Sequence, residues 1–415
     1  SAARESSVVV TTGRVVAMSR RSLARRPAHR PAHRLDGIPP TIFAEMSALA
    51  VRTGSLNLGQ GFPDEEGPAE VLAAAVAAIQ GGANQYAPGI GVPALRRAIV
   101  DHQHRHYGIE LDPDTQVAVT TGCTEAIAAS LLGLVDPGDE VVVLEPYYDS
   151  YPAMLQMCGA VRRPVTLRSP DFRVDLDELR AAVTERTRFV LLNSPHNPTG
   201  TVLTRAELEA VAELAAEHDL VVITDEVYEH LVFEEGEHVP LATLPGMAER
   251  TLTLSSVGKS YSLTGWKVGW ATGPAELVGA MVAAKQWMTY TSGAPLQPAV
   301  AVALSEHPDF PRALSQDLQE RRDLLVAGLR DAGLPTSTPQ GTYFATSDVR
   351  ELGWHDSAAF CQALPERAGV VAIPVQGFYD DPAGAGRHLV RWAFCKQRDV
   401  ISEATARLAA ADLRA

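Results

Sequence analysis

Four short segments place chemically able side chains close together along the chain. Asn193-Ser194-Pro195-His196-Asn197-Pro198-Thr199-Gly200 offers two amides, and Asp225-Glu226-Val227-Tyr228 offers a carboxylate and a phenol. Ser255-Ser256-Val257-Gly258-Lys259 offers hydroxyls and an amine, and Thr264-Gly265-Trp266-Lys267 a second amine. Any one alone reads as a turn or an ion pair. Gathered at one place, they supply an amine able to attack a carbonyl, an acid beside it, and neutral donors to fix orientation.

The elements around them decide whether they meet. The first three segments follow apolar runs with strand character, Phe189–Asn193, Leu220–Thr224 and Thr251–Ser255. Similar runs at Val117–Thr120, Val141–Glu145 and Val268–Ala271 alternate with helical segments at Thr124–Leu134, Asp175–Val183 and Arg205–His218. Strands separated by helices predict βαβ units and a doubly wound, mostly parallel sheet in an α/β fold. Ligands of such sheets bind beyond the carboxyl ends of the strands, where these segments fall. The group set suits pyridoxal phosphate. That cofactor needs a lysine to form a Schiff base (Lys259) and an acid for its pyridine nitrogen (Asp225). Tyr228 and Asn197 suit its phenolic oxygen. Its phosphate needs backbone N–H groups at a helix start, here Gly122-Cys123-Thr124, with Lys267 and Ser256 beside them.

Three other patterns carry less. Gly258-Lys259-Ser260 resembles the end of a phosphate-binding loop, but Thr253 stands where that motif needs its first glycine. Gly59-Gln60-Gly61 lacks the third glycine and the helix of a dinucleotide fold. In DHQHRHY, His102 and His106 share a helix face at metal-ligating spacing. A solvated helix end is the reading taken, and no metal is expected.

Composition bounds the rest. The 415 residues are 46% hydrophobic and 21% charged, with a net charge of −14. That suits a globular protein of more than one domain and argues against a nucleic-acid or anionic-membrane surface. No apolar run is long enough to span a bilayer. Cys123, Cys158, Cys361 and Cys395 form no CxxC pair, so reduced thiols and a cytoplasmic setting are expected. Residues 1–34 are Arg-rich and Pro-broken and read as a disordered extension.

With these pieces in order, the chain resembles the class I/II aminotransferases of the fold-type I pyridoxal-phosphate enzymes. Within them it is similar to the subgroup of kynurenine, methionine and N-succinyldiaminopimelate aminotransferases. NLGQGFPD, NQYAPGIG, TTGCTEAI, DPGDEVVVLEPYYDSY, SPHNPTG, DEVYEHLVF, SVGKSYSLTGWKVGW and VRWAFCK carry the likeness, from about Leu35 to the C-terminus. The resemblance implies that Lys259 bonds the cofactor and shuttles the proton, with Asp225 and Tyr228 as its catalytic companions. It implies phosphate contacts from Ser256, Lys267, Cys123 and Thr124, and ring stacking by Tyr148 rather than Tyr147. Arg391, helped by Gly59 and Asn197, would clamp the substrate α-carboxylate. Tyr86 would reach the phosphate of a neighbouring subunit, which implies a homodimer with shared sites. A large domain over 67–299 and a small one from 35–66 and 300–415 are expected. The implied reaction moves an amino group from an L-amino acid to a 2-oxo acid such as 2-oxoglutarate. The same scaffold also admits β- or γ-elimination, C–S lyase or C–C bond-forming chemistry. Ser260-Tyr261 and Val375-Gln376-Gly377-Phe378 depart from the family pattern near where substrate side chains are read.

Overall fold

A computed structural model describes residues 31–38, 40–234 and 236–415. Most of the Arg-rich extension lies outside the described residues. Its last residues enter a single 3-10 turn, His33–Leu35. Gln156 Nε2 donates to the Arg34 and Asp36 carbonyls at 3.1 and 2.9 Å.

The strands, in chain order, are β1 Leu56–Asn57, β2 Val117–Thr120, β3 Glu140–Glu145, β4 Val161–Thr166, β5 Thr187–Asn193 and β6 Val221–Asp225. They continue as β7 Thr251–Ser256, β8 Gly269–Thr272, β9 Phe344–Asp348, β10 Val370–Val371, β11 Ile373–Pro374 and β12 Leu389–Ala393. Seven form one sheet in the order β2-β8-β7-β6-β5-β3-β4. All its pairings are parallel except the two made by β8. The long valine, isoleucine and leucine runs are buried because helices cover both faces, as parallel sheets require. Each strand run foreseen from sequence is present within one or two residues. Strand β4, VRRPVT, was not foreseen, because two arginines and Pro164 break its apolar pattern. It pairs only with β3, and an edge strand tolerates a residue with no N–H to donate.

The remaining strands lie outside that sheet. β9, β11 and β12 make an antiparallel trio, and β1 pairs with β10 in parallel, Leu56 opposite Val370. The segment around residue 57 is thereby tied to the C-terminal third of the chain. The helix Leu296–Glu306 runs across the 299/300 boundary drawn from sequence. Its Ala299, Val300, Ala303 and Leu304 pack with Val71, Leu95 and Ile99. The boundary therefore cuts a helix that packs with the preceding part of the chain.

Register sets the site. Asn193 stands opposite Asp225, and Asp225 opposite Leu254. The carboxyl ends of β5, β6 and β7 are thus level, and the residues just past them face one cleft.

Candidate active site

A cleft opens at those strand ends. Its lining includes Cys123, Thr124, Tyr148, Asn197, Asp225, Tyr228, Ser256, Lys259 and Lys267, so nine of the residues singled out from sequence converge there. Arg391 stands one bond further on, tied to this lining through Asn197, and Gly59 one bond beyond Arg391. Tyr86 does not join them: it is 85% exposed and meets the Tyr290 ring edge-on at 5.8 Å.

Asp225, at the end of β6, is buried and densely held. The Tyr151 hydroxyl donates to one oxygen at 2.5 Å, and the Cys123 thiol and the Val227 N–H to the other at 3.4 and 3.3 Å. Burial pushes its carboxyl above the usual carboxylate range, against the pull of these donors. A buried carboxylate in this state is satisfied by a cation placed against it. The Asn193 side chain donates to the Asp225 carbonyl at 2.8 Å and accepts from the Asn197 N–H at 2.8 Å. One asparagine thereby sets two site segments relative to each other.

Lys259 follows β7 on a single helical turn, Val257–Ser260. Its Nζ donates to the Tyr343 hydroxyl at 2.9 Å, and that hydroxyl donates to the Gly61 carbonyl at 2.6 Å. Burial, helped by Lys267 and Arg391, lowers the Lys259 amine to about 8, although Cys395 and Asp225 oppose the shift. Burial raises the Tyr228 phenol, so it stays protonated and able to donate.

The helix Gly122–Leu134 begins at the cleft, presenting unpaired N–H groups there. Gly122 has φ +72°, and a Cβ on it would lie 3.0 Å from Lys267 Cε. Lys267, itself at φ +53°, donates to Thr124 Oγ1 at 3.3 Å. A helix start, a hydroxyl and an ammonium around a space that a Cβ would invade form a cradle for an anion.

Arg391, in β12, is 1% exposed. One terminal nitrogen donates to Asn197 Oδ1 at 3.0 Å and the other to the Gly59 carbonyl at 2.8 Å. Its guanidinium lies over the Phe344 ring at 3.9 Å, with Phe43 and Phe378 further out. Nε has no partner, and burial lowers the group to about 10. A guanidinium held on neutral oxygens and aromatic faces, with a donor unspent, is poised for a carboxylate. Both observations, the unspent donor and the anion cradle, fit a phosphate-bearing cofactor and a carboxylate substrate side by side.

Sequence reasoning missed two participants, Tyr151 and Tyr343, and one contact of a third, Cys123. Tyr151 lies one helical turn beyond Tyr148 in DSYP, and that spacing was the available signal. Tyr343 immediately precedes β9, outside the seven-stranded sheet whose strand ends were searched, and no local pattern marks it. Cys123 was assigned through its backbone amide, whereas its thiol reaches Asp225. Of the tyrosine pair, Tyr148 lines the cleft while Tyr147 donates to Asp380. The sequence's 36 basic residues include four lysines. Lys259 and Lys267 are in the cleft. Lys285 is buried, donating to the Gly89 and Tyr290 carbonyls, and Lys396 is buried against Asp64 and the Phe62 carbonyl.

A family model described as aminotransferase class I and II matches residues 53–396. The chain belongs to that family, and it is an aminotransferase. The family's members are pyridoxal-phosphate enzymes. Among similar solved structures, N-succinyldiaminopimelate aminotransferase from Mycobacterium tuberculosis is 55% identical with a TM-score of 0.89, covering 92% of this chain and 99% of that one. Methionine aminotransferase of Escherichia coli is 39% identical over 378 residues, 91% of this chain and 97% of the relative. A kynurenine–oxoglutarate transaminase of Dictyostelium discoideum is 36% identical over 405 residues, 88% and 93% respectively. As a fold-type I aminotransferase, the chain corrects one sequence reading. His102 is not on a solvated helix end: it is 2% exposed and its Nε2 meets His230 Nε2 at 2.6 Å.

Proposed function

We propose that this aminotransferase holds pyridoxal phosphate in the cleft through Lys259, and that Arg391 reads the α-carboxylate of the amino donor. The observation that carries the reading is the convergence of Lys259, Asp225, Tyr228 and the Gly122–Thr124 helix start beside an arginine with an unspent donor. When bound, the cofactor supplies an electron sink for the carbanion left when an amino acid loses its α-proton.

The chain's own groups do the rest. Asp225 keeps a proton on the ring nitrogen, as the nearest anion in a buried place. Tyr228 and Asn197 donate to the phenolic oxygen. Ser256, Lys267, Thr124 and the Cys123 and Thr124 amides hold the phosphate, and Tyr148 covers the ring. Arg391, braced by Gly59 and Asn197, turns its free edge to the substrate carboxylate and fixes the α-proton's position. Lys259 Nζ, with its affinity for protons lowered to about 8, would take that proton from the α-carbon and deliver it two atoms away, to the cofactor carbon beyond the nitrogen. A base poised near neutrality does this with least loss in either direction.

The donor inferred is an N-succinylated diamino acid, with 2-oxoglutarate as acceptor. Support comes from the 55% identity to the mycobacterial enzyme of that name, against 39% for the methionine enzyme. The working unit proposed is a homodimer, in which Tyr86, exposed in the single chain, serves the partner's phosphate. We also assign 35–66 and the chain after the helix Leu296–Glu306 to a small domain. The test is a donor panel followed by 2-oxo-acid release. N-succinyl-diaminopimelate should exceed methionine and kynurenine in kcat/KM. Preference for either of those would overturn the donor, and no 2-oxo acid from any of them would overturn the reading.

A further inference from the structure

A second cluster of side chains lies behind the cleft and takes no part in the proposed reaction. His102 and His106 stand one turn apart on the helix Pro93–Tyr107. His230 comes from the segment after β6, two residues past Tyr228. The ligand nitrogens of the three imidazoles all lie within 4.8 Å of one another. Their ring centroids form a nearly equilateral triangle with sides of 4.7, 4.7 and 4.9 Å. Three imidazoles bound about 2 Å from one tetrahedral ion place their ring centres about 5 Å apart.

We propose that His102, His106 and His230 form a site for a borderline divalent transition metal, zinc by preference, with the fourth position open to solvent. The donor set is all nitrogen, which suits zinc, cobalt, nickel or copper and disfavours calcium or magnesium. Burial holds all three rings below their usual proton affinity, His106 to about 4 and His230 to about 3; the neighbouring imidazoles add to it at His102 and His106, and His238 adds to it at His230. At neutral pH they are therefore unprotonated and have lone pairs to give. The 2.6 Å contact between His102 and His230 must open to about 3.3 Å around a tetrahedral ion. His106 is exposed, so its ring can give way and the ion can enter. Gln103 lies 3.4 Å from His102 Nδ1, and its amide satisfies that nitrogen in either tautomer by turning over. Glu229 supplies the anionic field. Its own oxygens accept from Tyr107 and Ser255 at 2.8 and 2.5 Å, which leaves the fourth coordination place to water.

Such an ion would fasten the helix Pro93–Tyr107 to the turn that carries Tyr228. The test titrates purified holoenzyme with Co²⁺, whose tetrahedral complexes absorb visible light, and then displaces it with Zn²⁺. One equivalent per chain should produce the band, and zinc should bleach it. His106→Gln, at an exposed position that folding tolerates, and His230→Gln should each weaken binding at least tenfold. Cys158→Ser, which removes the thiol that is not fully buried, should leave it unchanged. Absence of a band, or a band of undiminished affinity in His106→Gln and His230→Gln, overturns the proposal.

Discussion

The two halves of the cleft are built differently. The half around Lys259, Asp225 and Tyr228 is made by residues that directly follow β5, β6 and β7, neighbours in one sheet. Sheet register alone makes them level. The half around Arg391 draws on a second sheet, in which β12 with Arg391 lies beside β9 with Phe344, just after Tyr343, and on Gly59 and Asn197, which lie outside that sheet. Its parts are fixed by cross-bonds, arginine to Asn197 and Gly59, tyrosine to Gly61. One half is positioned within one sheet, the other by a second, smaller sheet together with side-chain contacts that reach beyond it. The first should tolerate neighbouring substitutions better than the second.

Substitutions at both halves sharpen that contrast. The largest effect is expected from Lys259→Ala, which should abolish turnover and the bond to cofactor. Borohydride reduction of the native protein, followed by peptide mapping, should mark Lys259 and no other lysine. Next comes Asp225→Asn. Loss of one buried charge-assisted contact costs about 1.5–3 kcal/mol, so the rate should fall roughly tenfold to over a hundredfold. A near-native rate would show that the register-set half does not depend on this charge. Arg391→Lys keeps the charge and loses the planar fork. KM for the donor should rise about tenfold or more while cofactor stays bound, and loss of cofactor with unchanged KM would join the two halves into one. Tyr343→Phe removes the hydroxyl that accepts from Lys259 and donates to Gly61, the latter a neutral hydrogen bond worth about 0.5–1.5 kcal/mol. It should change kcat by about tenfold at most. It should also shift the pH at which Lys259 reacts with an acylating reagent in cofactor-free protein, from a midpoint of about 8. The amine reacts when neutral, so the rate rises with pH through that midpoint. Tyr86→Phe should act least: cofactor dissociation should quicken a few-fold with the fold intact.

The same division explains what could be read from the residues alone. The strand-end half was legible because a buried strand and the polar residues after it are contiguous, so one motif holds both the position and the chemistry. Arg391 was legible only through family likeness around VRWAFCK. Tyr343 was not legible at all, since its partners, Lys259 and Gly61, are more than 80 residues away. Tyr151 was hidden for another reason. Its role depends on which face of the helix Ser150–Cys158 meets Asp225, and one short helix does not reveal that. The histidine reading failed similarly, because helical spacing found His102 and His106 but not the burial that His230 completes. Strand β4 was lost to local composition, although an edge position makes that composition acceptable.

The scarcity of lysine has a consequence for a protein that works with an aldehyde. A reactive carbonyl condenses with any neutral, accessible amine, so an ordinary lysine-rich exterior takes up such a cofactor indiscriminately. Here Lys285 and Lys396 are enclosed by their own acceptors, and the other two lysines face the cleft. The positive charge of the exterior is carried by guanidinium groups, which are protonated at any working pH and make no such adduct. Among its lysines, the molecule thus achieves selectivity by subtraction: an aldehyde in excess finds side-chain amines open to it almost only where it is wanted.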